Sequence, residues 1–125
     1  MPQNIKILIT EDDQFLQKIL KIKMEKSGFI VMVAEDGEDA LNKLKNEVPD
    51  IILLDMFMPK KSGIEVLKEL KADERLKNIP VIMLSNLTQT EDVQKAMAMG
   101  ASDYIIKSDI DINEIPDRIS KYVSK

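Results

Sequence analysis

Five residues of this 125-residue chain are of types that could do chemistry together: Glu11, Asp12, Asp55, Ser85 and Lys107. Each follows or ends a short apolar run, and Asp55 closes IILLD, where a lone carboxylate at the end of a buried strand needs a reason. Three carboxylates drawn to one place repel one another, so a cation must neutralise them or a proton must be retained. Lys107 supplies one positive charge, and a divalent metal would supply more. An all-oxygen donor set selects a hard ion, and partly hydrated Mg²⁺, which takes one or two protein carboxylates plus phosphate oxygens, is the expected cofactor. A carboxylate nucleophile, a metal, a hydroxyl donor and a lysine are the parts of a phosphoryl-transfer site.

The rest of the composition narrows the chemistry further. There is no histidine, which removes histidine general bases, Ser-His-Asp triads and histidine metal sites, and no cysteine, which removes thiolate chemistry and disulfides. A net charge of −4 with acids and lysines interspersed argues against direct nucleic-acid binding. The N-terminal MPQNIKILIT resembles neither a signal peptide nor a membrane span, so a soluble, cytoplasmic protein without membrane contact is expected.

Each of these five residues, and Tyr104 close to Lys107 in the sequence, has a plain reading. Glu11 and Asp12 could cap a helix, Asp55 could end a strand in a turn, Ser85 could open a loop, Lys107 could be a solvated edge lysine and Tyr104 could be core. Lys60 and Lys61 read as a solvated loop, and Met24, Met83, Met97 and Met99 as core filler.

The elements that must position these groups form one alternating series. KILIT (6–10), IVMVA (30–34), DIILL (50–54), PVIML (80–84) and DYIIK (103–107) are short apolar, largely β-branched runs, as expected of strands covered on both faces. Between them lie helical spacings. Phe15, Ile19, Leu20, Ile22 and Lys23 mark a helix face ending near Ser27-Gly28; Asp36-Gly37 opens a second helix and Gly63 a third. Val93, Ala96 and Met97 mark a fourth, and Ile115, Ile119, Tyr122 and Val123 a fifth, with Asn113 as N-cap and Pro116 in the first turn. Five strands alternating with five helices predict one domain over residues 1–125 with a doubly wound parallel sheet, and such sheets bind ligands beyond the carboxyl ends of their strands.

ILITEDD (7–13), DIILLDMFMPKKSG (50–63), PVIMLS (80–85) and GASDYIIK (100–107), in that order, resemble the response-regulator receiver domains of two-component signalling over essentially the whole chain. The resemblance implies a flavodoxin-like five-stranded sheet of order 2-1-3-4-5. It implies Asp55 as the phosphoacceptor, charged by the phosphohistidine of a sensor histidine kinase or phosphotransfer protein. It implies Asp12 as direct metal ligand, Glu11 acting through water, the Phe57 backbone carbonyl completing the shell, and Ser85 and Lys107 on the phosphoryl oxygens. Ser85 and Tyr104 would be the switch pair that reshapes the surface of the fourth helix, fifth strand and fifth helix for a downstream protein. Such a domain is not an enzyme beyond promoting its own phosphorylation and dephosphorylation. Ending at Lys125, the chain reads as a stand-alone or excised receiver, with no room for an output domain.

Two departures from the family pattern stand out. Ser108 follows Lys107 where the family usually has proline, so a trans peptide is expected there. Phe57, two residues after Asp55, and Leu87, two after Ser85, occupy positions that flank the path of the hydrolytic water; apolar groups there predict a long-lived phosphoryl group. A haloacid-dehalogenase-type phosphatase is the rival from the enzyme class, but such enzymes carry a second Asp where this chain has Phe57. The second rival is a receiver-like module that no longer uses phosphate.

Overall fold

The computed structural model describes residues 4–86, 90–108 and 111–123. Five strands, β1 (Lys6–Thr10), β2 (Ile30–Ala34), β3 (Ile51–Asp55), β4 (Val81–Ser85) and β5 (Asp103–Ile106), form one sheet of order β2-β1-β3-β4-β5, parallel throughout. Helices α1 (Gln14–Lys26), α2 (Gly37–Leu44), α3 (Gly63–Ala72), α4 (Thr90–Ala98) and α5 (Ile115–Ser120) are the crossovers and the closing element. The expected flavodoxin-like architecture and strand order are therefore the observed ones.

Period-2 alternation sorts the strand side chains into two cores. Leu8, Ile52, Leu54 and Met83 face Val66, Leu67 and Leu70 of α3 and Ala96 of α4. Ile7, Ile9, Leu53, Ile82 and Ile105 face Leu20 and Met24 of α1 and Ile115 and Ile119 of α5. Both α1 and α4 end in a glycine held at positive φ, Gly28 at 97° and Gly100 at 107°, as a left-handed helix terminus requires.

Several expectations are corrected. On α1 the buried residues are Leu20 and Met24, while Phe15 is 75% and Ile22 53% exposed: the helix carries a second apolar stripe that does not face the sheet. Met24 and Met83 are core, but Met97 is 42% exposed. The edge strand β2 is only partly covered, with Ile30 exposed. Strand β3 begins one residue later than its apolar run, because Asp50 lies outside it, its carboxylate accepting a hydrogen bond from the Lys6 amide at 2.9 Å. Strand β4 starts at Val81, since Pro80 has no N–H to give a ladder. Asn113 is not the cap of the fifth helix. Asp111 caps a 3₁₀ turn, Ile112–Glu114, its carboxylate accepting from the Asn113 amide at 2.9 Å, and α5 follows with Pro116 in its first turn as expected.

The start of α3 approaches the end of β3 closely, and Gly63 allows that approach. A Cβ built at Gly63 would lie 2.3 Å from the Asp55 carbonyl oxygen and 2.8 Å from the Met56 Cα. Ser62 and Glu65 form a reciprocal capping box that fixes the start of α3 beside this contact. Gly63→Ala is therefore expected to destabilise the protein by at least about 2 kcal/mol, read as a lower urea midpoint with unchanged m-value.

Candidate functional site

The carboxyl ends of β1, β3, β4 and β5 meet at one edge, and the structure brings Glu11, Asp12, Asp55, Ser85 and Lys107 together around a cavity of about 250 Å³. Each is placed by backbone that the sheet dictates. The Glu11 amide extends the β1–β2 ladder by donating to the Ala34 carbonyl at 3.0 Å, the Met56 amide donates to the Leu84 carbonyl at 3.1 Å, and the Lys107 amide donates to the Ser85 carbonyl at 2.8 Å. Lys107 thus sits just beyond β5, in the turn after Ile106, and the Lys107–Ser108 peptide is trans.

The acidic pair does not cap α1. That task falls to Asp13, whose side chain accepts from the Phe15 and Leu16 amides at 3.0 and 3.2 Å. Glu11 is almost fully buried, 1% exposed. Its Oε2 accepts from the Asp13 amide at 3.1 Å and its Oε1 pairs with Lys107 Nζ at 2.9 Å. Asp12 is exposed, and among the described residues its side chain has neither a hydrogen bond nor an ion pair. Asp55 is buried; its Oδ2 lies 3.5 Å from Lys107 Nζ, and its Oδ1 accepts a long 3.4 Å bond from the Phe57 amide.

One lysine faces two buried carboxylates, and the titration of the group follows from that shortfall. Burial first, and Glu11 second, push the Asp55 carboxyl from an ordinary 3.8 up to about 7; Lys107 pulls the other way without winning. Burial alone would lower the Lys107 ammonium, but Glu11 and Asp55 hold it above its ordinary 10.5. The cluster therefore has room for another cation. One carboxylate oxygen from each of Glu11, Asp12 and Asp55 lies within 4.8 Å of the others, a donor set of hard oxygens that fits a divalent ion of the Mg²⁺ kind.

Ser85 is 3% exposed at the end of β4 and lines the cavity. Tyr104 is buried in the α3–α4 core; burial pushes its phenol up and the neighbouring Ser85 hydroxyl opposes that. Phe57 is 56% exposed at the cavity mouth. Leu87 lies outside the described residues. Lys60 is exposed, as a solvated loop requires, and Lys61 is half-buried; each is paired, Lys60 with Asp36 at 3.7 Å and Lys61 with Glu69. Lys60 also takes the left-handed φ of 70°.

Sequence reasoning passes over Asp13 and Gln17. Asp13 carries the weak signal of an Asp directly before a helical run. Gln17 carries none, since its role depends on two strand ends that meet only in the folded chain.

An open parallel sheet with an acidic, lysine-bearing cleft beyond its carboxyl ends defines a doubly wound α/β domain with its ligand site at that edge. The chain belongs to the response regulator receiver domain family, whose model matches residues 7–120. Receiver domains are the part of two-component systems that accepts a phosphoryl group on an aspartate; they bind Mg²⁺ at an acidic pocket and interact with histidine kinases and downstream targets. The chain is 38% identical over 102 residues to the phosphate regulon transcriptional regulatory protein PhoB of Escherichia coli, covering 82% of this chain and 44% of that protein. It is 34% identical to the receiver domain of the Francisella response regulator 1452, with a TM-score of 0.87 and coverage of 95% and 96% of the two chains. It is 25% identical to the chemotaxis response regulator CheY4 of Vibrio cholerae, with a TM-score of 0.89 and coverage of 97% and 100%. The chain spans about two fifths of the length of the curated relatives it matches. No helix of the described residues is long and apolar enough to cross a membrane.

Proposed function

We propose that Asp55 is the phosphoacceptor of this receiver domain. The observation that carries the reading is the convergence of Asp55, Glu11 and Lys107 at one buried point, where Lys107 Nζ lies 2.9 Å from Glu11 and 3.5 Å from Asp55. An Asp55 carboxylate oxygen attacks the phosphorus of a phosphohistidine supplied by a sensor kinase or phosphotransfer protein; a P–O bond forms, the P–N bond breaks, and the imidazole leaves. Glu11, Asp12, Asp55 and the Phe57 carbonyl are the groups that would hold Mg²⁺, with Glu11 the one engaged through water. The ion would supply positive charge against the phosphoryl oxygens. Lys107 adds its ammonium and Ser85 its hydroxyl to the same oxygens.

Occupation of Asp55 would draw Ser85 and Lys107 toward the phosphoryl group. Tyr104, buried next to Ser85, is the group through which that movement reaches α4, β5 and α5. A 430 Å³ cavity bordered by Tyr104, Ile106, Asp117 and Arg118 lies on the β5–α5 part of that face, where a downstream protein would dock. Partners of this chemistry place the domain in the cytoplasm, and no direct contact with nucleic acid or membrane is part of the reading.

Phe57 and Leu87 are proposed to set the lifetime of the aspartyl phosphate by keeping an in-line water away. After loading with a small phosphodonor and Mg²⁺ and removal of the donor, Phe57→Asn with Leu87→Glu is expected to lose its phosphoryl group about tenfold faster than wild type, a barrier difference near 1.4 kcal/mol. Equal decay would sink the lifetime role. Continued release of phosphate from a generic phosphate ester, in place of one phosphoryl group per chain, would favour the phosphatase.

A further inference from the structure

We infer that Gln17 is a positioning residue for the metal-side carboxylates, an inference that rests on the reading of Glu11 and Asp12 as those carboxylates. Gln17 lies one turn into α1, and its side-chain amide reaches back under the acidic loop. Its Nε2 donates to the Glu11 carbonyl at 3.0 Å and to the Ala34 carbonyl at 3.4 Å. Because both contacts are carbonyl oxygens, the amide nitrogen and not its oxygen must face them. The same Ala34 carbonyl accepts the Glu11 amide at 3.0 Å, so the side chain adds a rung where the β1–β2 ladder ends at Thr10 and Ala34.

The consequence lies one residue further along. Asp12 is exposed and has no side-chain partner among the described residues, so its carboxylate is aimed by the backbone of Glu11–Asp13 alone. That backbone is held at four points: the Glu11 amide on Ala34, the Glu11 carbonyl by Gln17, the Asp13 amide on the Glu11 carboxylate, and the Asp13 carbonyl by the Gln17 amide at 2.9 Å. Gln17 supplies two of the four, one from its side chain and one from its main chain. Removing the side-chain amide leaves the part-buried Glu11 carbonyl without that donor and frees the peptide between Glu11 and Asp12 to rotate. A ligand that loses its orienting neighbour binds metal more weakly even though its own chemistry is intact.

The test is a calorimetric Mg²⁺ titration of wild type, Gln17→Leu and Gln17→Met, the second variant having a flexible side chain of similar length. Both are expected to raise the Mg²⁺ dissociation constant about tenfold. Phosphoryl uptake should be slow at low Mg²⁺ and approach wild type at saturating Mg²⁺. A purely structural glutamine would lower the melting temperature in chelator and leave the Mg²⁺ constant unmoved. Dissociation constants within twofold of wild type in both variants overturn the inference while leaving the site reading intact. Failure of wild type itself to bind Mg²⁺ overturns both.

Discussion

Lys107→Met, free of metal at pH 8, is expected to be less stable than wild type by roughly 3 kcal/mol, the scale of a buried ion pair broken on one side. Lys107 is the cation that faces Glu11 and Asp55, at 2.9 and 3.5 Å, and Glu11 is 1% exposed. Methionine keeps the length of the stem and removes only the charge, so packing loss contributes little. Two further outcomes distinguish this from an ordinary core defect. Part of the loss should return at pH 5.5, where Asp55 takes up a proton, and part should return with Mg²⁺, since an ion that binds the native state in preference to the unfolded chain stabilises it. The rate of phosphoryl uptake should still fall by about a hundredfold with Mg²⁺ present, since the ammonium is one of the charges offered to the phosphoryl oxygens. Urea denaturation at the two pH values, with and without Mg²⁺, reads the stability terms; a variant as stable as wild type in chelator at pH 8 would contradict them.

Asp55→Asn is expected to act in the opposite direction, stabilising the metal-free protein at pH 8. Burial and Glu11 raise the Asp55 carboxyl from 3.8 to about 7, so between those values the native state binds more protons than the unfolded chain. The unfolded state then binds fewer protons, the slope of stability against pH is negative, and stability is lost as pH rises through that window. The span from 3.8 to about 7 corresponds to on the order of 4 kcal/mol at most. Metal-free wild type should therefore melt higher at pH 5.5 than at pH 8. Asp55→Asn should flatten that profile, and Mg²⁺ should stabilise wild type most at pH 8. Other shifted acids do not interfere in this window. Burial works upward on Asp103, but Arg118 and the Tyr104 amide hold it below its ordinary value, and Glu65 is held low by its bonds at Ser62. A wild-type melting temperature that climbs from pH 5.5 to pH 8 without metal would contradict the assignment.

The fold was legible because its signals are local and mutually consistent. Five β-branched runs separated by helical spacings admit few arrangements other than a covered parallel sheet, and Gly28 and Gly100 end α1 and α4 at positive φ where glycine is cheapest. Strand limits differ from the sequence runs by one residue at Asp50 and Pro80, which precede β3 and β4, and at Lys107, which follows β5. The outer face of α1 was misread because Phe15 and Ile22 keep helical spacing with Ile19, and spacing does not say which of two apolar stripes meets the sheet.

At the site, residue types identified the cluster but not its internal order. Nothing in the sequence told that Glu11 would be the buried partner of Lys107 while Asp12 stayed in solvent, because that division depends on which side of β1 each residue leaves. Asp13 as the cap of α1, and Gln17 bridging two strand ends, are likewise products of the folded geometry.

The central claim is that Asp55 is the nucleophile. Intact mass measured after incubation with a small phosphodonor and Mg²⁺ tests it most directly. Wild type should gain the mass of one phosphoryl group and Asp55→Ala none. Addition that persists in Asp55→Ala, or a wild type that binds Mg²⁺ yet gains no mass, would contradict it.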